Sequence, residues 1–203
     1  MTHAQNAGHR KTARTVAPAL LLLTISAPAW GQAVTFAELD GSLIEAHIVR
    51  QQVIRREAKE FPVRIENNLQ LVIGPGDKIQ QTVTATSHTP RGIKRGETRT
   101  SLHTLERPRE VRSQGGGNAL YVFLDGTLTF LRTYKGGAYR RAFAFGRGKE
   151  GLTCAVTEAF AREDGVGAIS LDSFVDGVPT IVVSSKPLSS SCRIAAGRPA
   201  AMQ

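Results

Sequence analysis

The chain has 203 residues, with 26 Lys and Arg against 17 Asp and Glu, a formal net charge of +9. That length suits one domain with a substantial core, and no repeat of fixed period marks a second. Its two cysteines lack the C-x-x-C spacing of a redox or zinc pair, and the basic balance points to anionic rather than cationic partners.

Residues 1–33 read as a secretory signal peptide. A basic start (Arg10, Lys11, Arg14) precedes an apolar run through Leu20 to Ile25, and small residues precede a cut after Ala33, with Ala29 as the alternative. The apolar run is too short for a membrane span, which needs ~20 residues. Export to the periplasm or the medium is therefore expected. Cleavage removes three of the 26 basic residues and none of the 17 acidic ones, leaving +6. No later run approaches a span, so no transmembrane segment is expected after the leader. The expected domain is 34–193, with 194–203 as a flexible tail.

The first strand is expected over 43–56, where the β-branched content outweighs a partial helical pattern. A clearer strand spans 61–73, the turn Gly74-Pro75-Gly76-Asp77 follows, and 78–88 returns. Thr82, Thr84, Thr86 and His88 then share one solvated face.

Residues 90–112 carry seven basic side chains, Arg91, Lys94, Arg95, Arg99, Arg107, Arg109 and Arg112, against three acidic ones. Such a patch suits anionic lipid headgroups, acidic polysaccharide or an acidic partner. Its structural counterpart is a solvated, mobile loop with one short strand over 101–106. Nucleic acid is not expected, because export removes it and the segment lacks aromatic residues for stacking.

Residues 118–164 organise the rest. Asp125-Gly126 between two apolar runs is a strong hairpin signal, since a type I′ turn needs positive φ at both central residues. It places Tyr121 opposite Phe130 and Phe123 opposite Leu128. A second turn at Gly136-Gly137 would put Phe130 opposite Phe143, Arg132 opposite Arg141 and Tyr134 opposite Tyr139. A loop over 146–151 would then set Phe143 against Cys154 and Tyr139 against Glu158. One face thereby collects Tyr121, Phe123, Leu128, Phe130, Phe143 and Phe145, the expected core. Its polar end holds Arg132, Arg141, Tyr134, Tyr139 and Glu158. These are the candidate site for a carboxylate or phosphate of an amphipathic or anionic small molecule. The structural counterpart is a Glu158 that offsets neighbouring arginines while tyrosines cap the core.

Strands over 168–175 and 180–185 flank an Asp176-Gly177 turn, and 189–192 brings in Cys192. With an even cysteine count in an exported chain, Cys154 and Cys192 are expected to form a structural disulfide. Eight to ten short strands with glycine-rich turns mean an all-β fold. An antiparallel up-and-down meander closed as a lipocalin-like barrel is favoured over a β-sandwich.

No G-x-S-x-G, phosphate loop, zinc spacing or calcium loop occurs, and His47, His88 and His103 fall on separate strands. No enzyme activity, metal or cofactor is expected. The exported leader, NLQLVIGPGDKIQ (68–80), RPREVRSQGGG (107–117), DGTLTFLRTYKGGAYRRAFAF (125–145) and GLTCAVTEAFARE (151–163) together resemble small secreted bacterial proteins of unknown function. That resemblance implies no activity or catalytic residue. The likeness to lipocalin and calycin barrels is one of architecture alone.

Overall fold

The computed structural model describes residues 33–56, 58–106, 119–134, 137–162, 169–175 and 178–196. Residues 1–32, where the leader is expected, Arg107, Arg109, Arg112 and residues 197–203 lie outside the described residues, as does the side chain of Tyr134. A short 3-10 turn, Phe36–Leu39, leads into ten strands. These are β1 Ser42–Arg56, β2 Lys59–Gly74, β3 Lys78–Thr89, β4 Gly92–Glu106 and β5 Ala119–Leu124, then β6 Thr127–Tyr134, β7 Gly137–Gly148, β8 Gly151–Arg162, β9 Ile169–Val175 and β10 Val178–Ala196.

All ten belong to one sheet in the order β8-β7-β6-β5-β4-β3-β2-β1-β10-β9. The sheet curls until β8 meets β10, nearly closing a barrel rather than forming two stacked sheets. Side chains make the closure. Cys154 and Cys192 sit at disulfide distance, Cα atoms 5.6 Å apart, and Ser190 Oγ donates to the Val156 carbonyl at 2.8 Å.

The Asp125-Gly126 turn has the expected positive φ at both residues, and β5 and β6 pair as the turn dictates. The next two registers differ from expectation by two residues. Tyr134 pairs with Gly137, so Arg132 faces Tyr139 and Phe130 faces Arg141. A two-residue Lys149-Glu150 turn closes β7 on β8, which places Arg141 opposite Glu158 and Tyr139 opposite Phe160. Between β7 and β8 a tight turn won over a longer loop. Because the side-chain period is two, a shift of two keeps every residue on its expected face.

The aromatic face therefore does form the core. Tyr121, Leu128 and Phe143 are fully buried against Ile44, Leu71, Ile73 and Ile79 from β1–β3. Burial of each large side chain contributes about 1.5–3 kcal/mol. The rings of Tyr121 and Phe130 lie 5.1 Å apart in a tilted contact, and Phe130 meets Tyr139 edge-on at 6.1 Å.

Three expectations need correction. The meander is not wholly antiparallel, since β4 and β5 run parallel where Leu105 pairs with Tyr121. Residues 92–100 are not loop: they form the outer half of β4, paired with β3. Finally, β10 runs unbroken through Pro187 to Ala196, past the expected tail boundary. Pro187 sits beside a register shift against β1, where the ladder is already interrupted and its missing N–H costs least.

Candidate functional site

The inner face of β1 reads Ile44, Ala46, Ile48, Arg50, Gln52, an apolar run that turns polar halfway. The polar half meets the polar ends of β7 and β8, and a charged cluster results. Glu158 lies at its centre with 4% of its side chain exposed, Arg141 with 6% and Arg50 with 14%. Arg141 donates to Glu158 Oε1 from Nε and Nη2, both at 2.9 Å. Arg50 Nη1 donates to Oε2 at 2.9 Å, and the Tyr139 hydroxyl donates to Oε1.

Two guanidinium groups around one carboxylate leave an excess positive charge in a dry place. Aromatic faces offset it. Arg141 stands 5.2 Å from the Tyr139 ring centroid and 5.9 Å from Phe130, while Arg50 stands 5.4 Å from Phe160 and 6.0 Å from Tyr139. Burial alone would raise the Glu158 carboxyl, but Arg141, Arg50 and the hydrogen bonds from Tyr139 and Arg141 outweigh it and hold the group below its ordinary value. Burial pushes the Tyr139 and Tyr121 hydroxyls well above theirs, with Arg141 opposing. At neutral pH the cluster is thus carboxylate, two guanidiniums and a neutral phenol.

Of the residues expected at this site, Arg141, Tyr139 and Glu158 come together. Arg132 does not: it is exposed at the end of β6, across from Tyr139. The sequence reading missed Arg50, although its alternation with Ile44, Ala46 and Ile48 marked it as inward-facing. A cavity of about 20 Å³ lies beside Arg50, Glu158 and Phe160, room for roughly one water. Every charged oxygen here is engaged by the protein itself.

A second polar pair lies nearby on β4. Ser101 Oγ and His103 Nε2 are 2.8 Å apart, and the His103 ring packs edge-on against Tyr121 at 5.2 Å. Burial lowers the His103 pKa. Among the described residues no carboxylate binds the other ring nitrogen, so the pair lacks the orienting acid of a catalytic triad. No group of three His, Cys, Asp or Glu side chains among the described residues is placed to hold a metal ion.

The basic segment takes a defined form. The outer halves of β3 and β4 make a hairpin arm whose tip carries Pro90, Arg91 and Ile93. Every residue from 90 to 100 is exposed, including Arg91, Lys94, Arg95 and Arg99, and Ile93 shows 73% of its surface. Glu97 is the one acidic residue in that stretch. Among the described residues, β4 pairs with β5 only at Leu105 and Glu106, so the free edge of the arm runs along its outer half.

No protein-family model, curated protein or solved structure matches the chain.

Proposed function

We propose that this is an exported, non-enzymatic β-barrel that docks on an anionic lipid surface through the β3–β4 arm. The observation that carries the reading is the arm itself: four exposed cations around an isoleucine with 73% of its surface in solvent. Each Lys or Arg held near an anionic bilayer contributes about 1 kcal/mol, and an apolar residue at the tip adds a shallow anchor. The leader over residues 1–33 and the Cys154–Cys192 pair fit an oxidising compartment outside the cytoplasm.

The small-molecule reading of the barrel mouth has less support. Glu158 is already engaged by Arg50 and Arg141, and the space beside it is that of one water. A lipocalin-like role needs an interior large enough for a ligand, typically 300 Å³ or more.

Flotation with vesicles tests the docking. The mature protein should rise with vesicles rich in phosphatidylglycerol at low salt, stay behind at 0.5 M salt on the order of a 4 Å Debye length, and ignore phosphatidylcholine. Equal flotation with both lipids would sink the proposal.

A further inference from the structure

Cross-strand pairing builds a second surface on the outer face, away from the arm tip. One row across the strands reads Ser191, His47, Asn68, Thr84, Thr98, and the next reads Arg193, Glu45, Gln70, Thr82, Thr100. Five strands side by side make the rows roughly 19 Å long at ~4.8 Å per strand. All of these but Thr100 line a groove of about 540 Å³, floored in part by Ala46, Leu69 and Cys192. That volume lies in the usual range of small-ligand sites, roughly 300–1,000 Å³.

The groove has no net charge to spend on a ligand. Arg193 Nε lies 2.5 Å from Glu45 Oε2, and Gln70 Nε2 donates to Glu45 Oε1 at 3.2 Å. What it offers is spare hydrogen-bonding capacity of both signs. His47 Nδ1 donates to Asn68 Oδ1 at 2.8 Å, which leaves His47 Nε2 open to a ligand and both Asn68 amide hydrogens as donors. Gln70 keeps its carbonyl. Thr82 with Thr100 at 3.0 Å, and Thr84 with Thr98 at 2.8 Å, each use one hydroxyl proton of two. Donors and acceptors thus alternate over short, pre-ordered side chains.

We infer that this groove binds a neutral polyhydroxylated ligand, a short stretch of an uncharged glycan. Vicinal hydroxyls both donate and accept, which matches the alternation. A charged ligand would have to break the Glu45–Arg193 pair, and an extended peptide finds no unpaired backbone edge on a sheet face.

A glycan microarray carrying neutral and anionic oligosaccharides, read with the mature protein, tests the inference. Neutral glycans should be retained saturably. The exposed pair Asn68→Leu with Gln70→Leu should weaken that binding about tenfold or more, through unmet hydroxyls. Replacing Arg91, Lys94 and Arg95 by Glu should leave it unchanged, which separates the groove from the arm. Retention of no neutral glycan, or neutral binding untouched by the Asn68 and Gln70 changes, would overturn it. So would binding of anionic glycans alone that is lost with the arm substitutions.

Discussion

Glu158 shows how much one side chain can decide. Removing a single partner from a buried ion cluster leaves the other charges uncompensated, at a cost of about 3–5 kcal/mol. Glu158→Gln would strand Arg50 and Arg141 inside the barrel, and denaturant unfolding should show a loss of that size. Tyr139→Phe keeps the ring that both guanidiniums face and removes one hydrogen bond, so the expected loss is only about 1–2 kcal/mol. The same cluster sets an acid limit. Glu158 is held below its ordinary value in the fold, so the unfolded chain takes up its proton first as pH falls. Its contribution is complete above about pH 5 and is lost progressively through the unfolded carboxyl value near 4.3 and below. Melting temperature measured from pH 7 to pH 3 should fall in that window for the wild type and fall less steeply for Glu158→Gln. Parallel curves would remove Glu158 as the cause.

At the level of the strand, β4 has two physical jobs. Its inner half carries Ser101, His103 and Leu105 against the barrel, while among the described residues no strand pairs with the far edge of its outer half. Free edges pair with other chains unless charges or bulges prevent it. Arg95 and Arg99 sit beside the register shift near Gly96, where an added Cβ would lie 3.0 Å from the Ala85 carbonyl oxygen. Arg95→Thr with Arg99→Thr should therefore promote self-association, seen as a larger species in sedimentation velocity. A strictly monomeric double variant would show that the charges are not needed to guard the edge. These charges also explain why residues 92–100 were illegible as strand. Charge runs signal loops in sequence, whereas an edge strand carries charge for a reason that only its neighbours reveal. The β5–β6 pairing was legible because Asp125-Gly126 fixes the turn locally. The site was legible by face but not by register. Arg132, Arg141 and Glu158 alternate correctly, yet the β8 partner of Arg141 is chosen by Lys149-Glu150, which does not advertise a tight turn, and the β7 partner of Arg132 lies two residues from the one a Gly136-Gly137 turn dictates.

For the molecule as a whole, the closure of the barrel rests on the seam between β8 and β10. The Cys154–Cys192 link spans 38 positions, so the chain-entropy model assigns it ~4 kcal/mol of stability. Cys154→Ser with Cys192→Ser should lower unfolding stability by up to that amount, while the buried residues of β1–β7 keep the strand signal in circular dichroism. An unchanged denaturation midpoint would mean the Ser190–Val156 contact and the flanking packing close the seam unaided. The closed interior also bears on function. With Glu158 already engaged by Arg50, Arg141 and Tyr139, the two binding surfaces proposed above, the arm and the groove, both lie on the outside.

The most direct test of the docking claim places a reporter at the arm tip. With Trp30, the sole native tryptophan, changed to Phe, Ile93→Trp gives the protein a single tryptophan at the exposed tip. Adding phosphatidylglycerol vesicles at low salt should shift its emission to the blue, and raising the salt should reverse the shift. Emission that stays at its solvent position, at lipid concentrations where the wild type floats with the vesicles, would contradict the account, because another surface would then be making the contact.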